Sequence, residues 1–423
     1  MQLRLIRNNE LDQAAALADA IFRKDGDLSM KQLFPAIFQP GISHSYGAFT
    51  RDGTLAAFMG LVPSVIQAEE MLLEVFSIGA VCTAPAYRGV GLAGQLLKLC
   101  QAHAARAGAS LIFVSGDRSL YERAGCVPFG AAVHAELTQD SAQILAAVAG
   151  DAWTLRPMQP GDLLAVNRLL LSRQAGHVHS PAELGLLLGA AAYAGVLGLP
   201  QRTLVAERDG SIEGFVAVAV QPATGGDAGA ALPATGGGAG AALPAAGGGA
   251  GAALPATGGG AGAALPAAGG DAGAALPATS GDAGAALPAT EGEAPNQGTA
   301  LEWAGRPEAV AALLAKAALC TGTSSVLVPV PWQERSLLSL LRDARAAMTG
   351  GANSGTVCVA DRGALLRQTE AFRASRNIDL SAATDDRGLI SLLFDPASPL
   401  LPAGTLEGDA TLPLPYMEGL NFI

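Results

Sequence analysis

The sequence predicts an α/β protein, α+β in the order of its elements, made of two copies of one fold followed by a C-terminal tail. Three observations carry this. The chain has 423 residues, more than one typical core holds. Strand and helix signals follow the same order twice. An Arg-Asp-Gly turn recurs at the same place in that order, Arg51-Asp52-Gly53-Thr54-Leu55 against Arg208-Asp209-Gly210-Ser211-Ile212. Chance likeness of two hairpins is the competing explanation of the third observation.

The first copy opens with a strand at residues 3–7. A helical region follows over 10–34, where Leu11, Ala15, Ala18, Ile21 and Phe22 keep helical spacing. Strands at 45–50 and 55–62 flank Asp52-Gly53, a strong hairpin signal. A further strand is expected at 74–83, and then a glycine-containing loop. A helix over 92–107 is ended by Gly108. A buried strand at 110–115 leads to a short helix at 119–124, closed by Gly125. The second copy replays this order. It has a strand at 153–156, a helix at 163–171 capped by Asp162, and strands at 203–207 and 212–220. After an interruption come a strand at 300–304, a helix at 307–319 and a strand at 325–330.

The interruption is a repeat of eleven residues. Six units run from Ala223 to Pro288, one of them Ala234-Thr235-Gly236-Gly237-Gly238-Ala239-Gly240-Ala241-Ala242-Leu243-Pro244. An eleven-residue period can signal a right-handed coiled coil. Here each unit carries helix-breaking glycines and a proline, and too few large apolar side chains for a solenoid. Residues 223–298 are therefore expected to be a disordered insertion, tolerated at a loop tip. Three divisions follow: residues 1–150, residues 151–350 interrupted by the insertion, and a tail at 351–423.

Composition narrows the function. Hydrophobic residues make up 50% of the chain, a figure inflated by alanine, and no uninterrupted apolar run reaches the length of a membrane span. The N-terminus lacks the apolar core of a signal peptide. A net charge of −11 disfavours nucleic acid and favours a cationic, amine-bearing substrate, although acidity serves solubility first. The five cysteines, Cys82, Cys100, Cys126, Cys320 and Cys358, form no Cys-x-x-Cys pair. That argues against a disulfide framework or a metal site and for a cytoplasmic location.

The informative segment is Ala84-Pro85-Ala86-Tyr87-Arg88-Gly89-Val90-Gly91-Leu92-Ala93. A strand ends, a glycine loop follows, and a helix begins. Gly89 and Gly91 let the backbone turn sharply and approach a ligand closely. Their amides and those of the helix N-terminus make an anion cradle, to which Arg88 adds a charge suited to phosphate. A Walker loop would need Gly-Lys-Ser/Thr, and a Rossmann loop would follow the first strand of a βαβ unit; neither holds here.

Arg88-Gly89-Val90-Gly91-Leu92-Ala93 resembles the Q/R-x-x-G-x-G/A signature of the GNAT N-acetyltransferases. Downstream, Tyr121-Glu122-Arg123-Ala124-Gly125 resembles that family's second motif, Y-x-x-x-G. The likeness covers residues 3–135. It implies that each copy is a mixed, mostly antiparallel sheet flanked by helices and that the first copy is catalytic. It also implies direct transfer of an acetyl group from acetyl-CoA, as cosubstrate, to a primary amine on a small molecule or a protein. Arg88, Gly89, Val90, Gly91, Leu92 and Ala93 would hold the pyrophosphate, and Val81 and Thr83 the pantetheine arm through their backbone. No metal is implied.

The resemblance gives Tyr121 the role of general acid, against a bland reading as a packing aromatic. For the base, Glu74 opens the strand that leads to the loop, with Glu69 and Glu70 just before it at a hairpin tip. His44 could line the acceptor site. The second copy reads Gly305-Arg306-Pro307 after its strand, lacks the glycine pair, and is expected not to bind CoA. Tandem copies with a tail resemble the enhanced-intracellular-survival type of acetyltransferase. In that group the terminal carboxylate reaches the active site, which makes Ile423 a further candidate base. Cys126, where an aromatic often follows the glycine, departs from the pattern on the acceptor side. The alternative function is a silent acyl-CoA-binding sensor or scaffold. Neither the acceptor amine nor the oligomeric state can be read from these residues.

Overall fold

The computed structural model describes residues 1–222, 297–401 and 408–423. Its strands are β1 (Gln2–Leu5), β2 (Tyr46–Phe49), β3 (Leu55–Ala68), β4 (Met71–Thr83), β5 (Leu111–Val114), β6 (Ala132–Thr138), β7 (Thr154–Pro157), β8 (Ala175–His177), β9 (Gln201–Arg208), β10 (Ser211–Ala219), β11 (Gln297–Gly305), β12 (Ser325–Pro331), β13 (Ala347–Gly351) and β14 (Thr356–Val359). They form two sheets. One runs β1-β2-β3-β4-β5-β14, with β8 added to the far end of β3; the other runs β13-β6-β12-β11-β10-β9-β7. Among the described residues only β4–β5 and β11–β12 pair in parallel. Both sheets are mixed and mostly antiparallel, with helices on their faces.

Alternation along β3 explains the layering. Phe58 packs with Leu11, Ala14, Ala18, Phe34 and Phe38 on one face of the first sheet. Its neighbour Met59 packs with Leu92, Leu96 and Cys100 of helix Leu92–Arg106 on the other. In the second sheet the alanine-rich helix Pro307–Leu319 packs between the strands and helix Gln139–Ala149, with Ala309, Leu313 and Ala317 buried beside Ala142 and Leu145. Small side chains allow that close approach.

Three local expectations change. The helical region over 10–34 divides into Leu11–Phe22, Met30–Leu33 and Pro35–Phe38. The break is a turn in which the Lys24 N–H donates to Asp27 Oδ2 at 2.8 Å and Gly26 takes φ +91°. β3 and β4 extend beyond the expected strands to a tip at Glu69 and Glu70. Pro63, which reads as a breaker, lies between the stretches of β3 that pair with β2 and β8. β11 begins at Gln297, so the last two residues assigned to the insertion belong to the sheet. Ala219 and Thr299 are register partners, at the end of β10 and near the start of β11, between which the insertion lies in sequence. Residues 223–296 lie outside the described residues.

The sheets do not divide at residue 150. β6 pairs with β12 on one side and β13 on the other, inside the second sheet. β14, from beyond residue 350, pairs with β5 in the first. The first sheet thus takes a strand from beyond residue 350 and the second takes one from before residue 150, an exchange across the expected boundaries. A strand's alternation specifies which face is buried but not which edge it joins, so the exchange is invisible in sequence. Among the described residues no helix is long and apolar enough to cross a membrane.

Candidate active site

The site grows from a fork in the first sheet. β4 and β5 pair only over Val75–Ile78 and Leu111–Val114, while β4 continues to Thr83. The β3–β4 register slips between Phe58 and Gly60, which face Cys82 and Gly79, so β4 carries an extra residue there. Ala80 sits in this bulge at φ +50°, a left-handed conformation unusual for alanine. Beyond Ile78 and Val114 the two strands no longer pair, which leaves a wedge between their ends.

Beyond the wedge, β4 ends in a short 3-10 turn, Pro85–Tyr87, and the loop into helix Leu92–Arg106. Gly89 and Gly91 take φ +78° and +76°. A Cβ at either would meet nothing within 4 Å, so glycine is needed here for backbone conformation and not for space. Gly91 is the N-cap of the helix. The Arg88 Nε–H donates to the Thr83 carbonyl at 3.2 Å, which folds the loop back over the end of β4.

A cavity of about 880 Å³ lies along this loop. Val81, Thr83, Arg88, Gly89, Gly91, Leu92 and Ala93 line it, as does Tyr121; Val90 does not, and its side chain is exposed. Arg88, Lys98, Arg118 and Arg123 all face it, and no Asp or Glu is among its lining residues. In a chain of net charge −11, that is a local concentration of cations. Lys98, Gln101, Arg118 and Arg123 escaped the sequence reading. Gly91, Gly94, Lys98 and Gln101 fall at helical spacing along one face, a signal that was available.

Tyr121 is 5% exposed, on the short helix Ser119–Arg123. Burial pushes its phenol up to about 12, so it holds its proton across the physiological range. The C-terminus reaches the wedge. The Ser115 hydroxyl, at the end of β5, donates to an Ile423 carboxyl oxygen at 3.0 Å. A Cβ at Gly79 would overlap the Ile423 carboxyl carbon, so only glycine leaves room there. Phe422 anchors the terminus between Phe34 and Tyr193, with ring centroids 6.1 and 4.9 Å away. Tyr193 in turn donates to Glu418 Oε2 at 2.8 Å. Upstream, Asn353 Nδ2 donates to the Pro415 carbonyl at 2.8 Å and Gln333 Nε2 to that of Leu414 at 3.1 Å.

Glu74 lies elsewhere. Its Oε2 accepts from Gln368 Nε2, which also donates to the carbonyl of Gly108, beyond the C-terminal end of the helix that begins at Leu92. That fifteen-residue helix spans about 22 Å, so Glu74 sits at the wrong end of it to act as the base. Glu69 sits with Glu70 at the hairpin tip, within 4.0 Å of Arg376. His44 does not face the wedge: its Nδ1 lies 3.0 Å from His103 Nε2, and His103 Nδ1 lies 3.2 Å from the Tyr46 hydroxyl. Desolvation lowers the pKa of both imidazoles.

The second sheet has the matching fork without the cradle. β11 runs to Gly305 and helix Pro307–Leu319 starts two residues later, with Pro307 in its first turn. No loop of stacked amides intervenes. The cavity there, about 490 Å³, mixes Arg173 and Arg306 with Glu213 and Glu334.

Residues 2–129 match the family model of an acetyltransferase (GNAT) domain. No curated protein matches the chain by sequence. Three solved structures resemble it over most of its length. A conserved protein of Enterococcus faecalis V583, described as a "probable N-acyltransferase", is 12% identical with a TM-score of 0.56, covering 87% of this chain and 74% of its own. A GCN5-related N-acetyltransferase from Anabaena variabilis ATCC 29413 is 12% identical, TM-score 0.52, covering 85% and 73%. One from Kribbella flavida is 14% identical, TM-score 0.50, covering 86% and 73%. At these identities the likeness establishes a shared fold.

Proposed function

We propose that the chain, whose residues 2–129 match the family model of a GNAT acetyltransferase domain, transfers an acetyl group directly from acetyl-CoA to a primary amine of a small molecule or a protein. One observation carries the reading: the cleft beside Arg88–Ala93 is lined by four cationic side chains and no carboxylate. The amides of Gly89 and Gly91 to Ala93, with Arg88, would take the diphosphate, and the backbone of Val81 and Thr83 the pantetheine arm. Lys98, Arg118 and Arg123 supply further charge for a polyanion. The second copy, with no glycine loop and a cavity of mixed charge, is assigned a scaffolding role.

Two groups carry the protons. The Ile423 carboxylate, held by Ser115 against Gly79, accepts the proton that the amine must lose. Tyr121, protonated up to about pH 12, donates to the departing thiolate. Holding the two reactants side by side supplies much of the rate. The transfer balances: the amine loses a proton, the acyl C–S bond breaks, and the sulfur gains a proton. We assign the chain to the cytoplasm, where five unpaired cysteines persist.

The test is the appearance of free CoA thiol when the full chain is mixed with acetyl-CoA and a panel of diamines, polyamines and lysine peptides. Turnover with at least one amine supports the transferase. Acetyl-CoA binding without turnover on any amine would instead favour a silent sensor.

A further inference from the structure

Behind the wall of the cleft lie two cysteines far apart in sequence. Cys126 follows Gly125 at the end of helix Ser119–Arg123, and its N–H donates to the Tyr121 carbonyl at 3.0 Å. Cys358 is in β14. Their neighbours Val127 and Val357 exchange both backbone hydrogen bonds, each 2.9 Å, in an isolated antiparallel bridge. That is a hydrogen-bonded pair. Cys126 and Cys358 therefore stand opposite one another at the adjoining non-hydrogen-bonded position, with side chains on one face. Such positions hold their Cα atoms about 4.5 Å apart, within the roughly 4.4–6.8 Å that a disulfide spans. Gln101 Nε2 lies 3.8 Å from Cys358 Sγ. Both residues are buried, at 1% and 3% exposure.

We propose that Cys126 and Cys358 are a modification site that forms a reversible disulfide by exchange with a low-molecular-weight disulfide, locking the Tyr121 helix to β14. The Cys358 thiolate attacks one sulfur of the small disulfide, giving a mixed disulfide and releasing one thiolate. The Cys126 thiolate then attacks the Cys358 sulfur and releases the second. The two cysteines lose two electrons and two protons; the small disulfide takes up both and leaves as two thiols. Cys358 is the first nucleophile because the Gln101 amide donates to its sulfur and the neighbouring thiol lowers its pKa while that of Cys126 is raised. Entry is from the cleft. Gln101, Leu120, Tyr121 and Ala124 line it, and the five-residue helix that carries Leu120 and Tyr121 is short enough to open locally. The other cysteines lack a partner of this kind: Cys82 and Cys100 are buried with thiols pushed up to about 12, and Cys320 is exposed.

The full chain is incubated with oxidised glutathione under native conditions, blocked with N-ethylmaleimide, digested and mapped by mass. The expected product is a cross-link between the peptides carrying Cys126 and Cys358, two hydrogens lighter than their sum and reversed by dithiothreitol. It persists in Cys320→Ala and is lost in Cys358→Ala. The cross-linked chain unfolds at a higher temperature than the reduced one, a shift absent in Cys126→Ala. Two results overturn the proposal. One is maleimide on both Cys126 and Cys358 after exposure, in buffer and in urea below the unfolding midpoint. The other is glutathione retained on either cysteine without resolution to the cross-link.

Discussion

Replacing Gly79 with alanine adds one methyl group where the C-terminus docks. The strand accepts alanine, because Gly79 does not need a positive φ. The space does not: the new Cβ would overlap the Ile423 carboxyl carbon and lie 2.6 Å from its oxygen and 3.0 Å from its side chain. Overpacking of this kind costs about 1–3 kcal/mol. The Ser115 hydrogen bond to a charged group is worth about 1.5–3 kcal/mol. The two are of similar size, so the terminus is expected to retreat and give up that bond. With the carboxylate as base, transfer then falls by roughly 10²–10⁴. Affinity for acetyl-CoA stays unchanged, because the loop at Arg88–Ala93 is untouched. Deleting Ile423 withdraws the carboxylate by one residue and gives the same split without adding bulk. The assay is release of CoA thiol at saturating acetyl-CoA, run beside a binding titration. Parent turnover in both variants would refute the role of the terminus.

Other perturbations separate the remaining parts. Gly91→Ala places a side chain at φ +76°, at a cost of about 1–2 kcal/mol. Acetyl-CoA affinity in a titration should then fall by up to roughly 5–30-fold, and an unchanged affinity would mean that the loop conformation is not used. Tyr121→Phe keeps the buried ring and removes the proton, so turnover should fall about 10²–10⁴-fold with binding intact; undiminished turnover would return Tyr121 to a packing role. His177 is buried with both ring nitrogens unpartnered, and burial first, then His179 and Arg173, holds its pKa well below 6.5. It stays neutral when folded and binds a proton when unfolded. Its contribution to stability is present above pH 6.5 and is lost as pH falls below it, by about 1.4 kcal/mol per pH unit. Denaturant midpoints from pH 7 to 5.5 should fall less steeply in His177→Leu, and an unchanged slope would contradict this.

What could be read in advance was local. Arg88, Gly89 and Gly91 carry their meaning within six residues, because positive φ and an amide cradle are properties of a short stretch of chain. The recurrence of Arg-Asp-Gly in two hairpins was legible for the same reason, and Asp209 and Gly210 do take φ +53° and +74°. What failed was long-range. Glu74 lies on the right strand, yet the strand is long and the site is at its other end. β6 and β14 have strand patterns that fit either sheet, so their exchange depends on tertiary packing. Cys126 and Cys358 become neighbours only through that exchange. Ile423 could be named as a candidate base, but its seat depends on Gly79, Ser115 and, through Phe422, Phe34, remote residues that no spacing connects to it.

The most direct measurement is calorimetric titration of acetyl-CoA into the full chain and into Gly91→Trp. One site per chain, weakened by salt as a cationic cleft requires and abolished in the variant, is the expected result. No binding to the parent chain would contradict the assignment of the cleft, and two sites per chain would contradict the silence of the second copy.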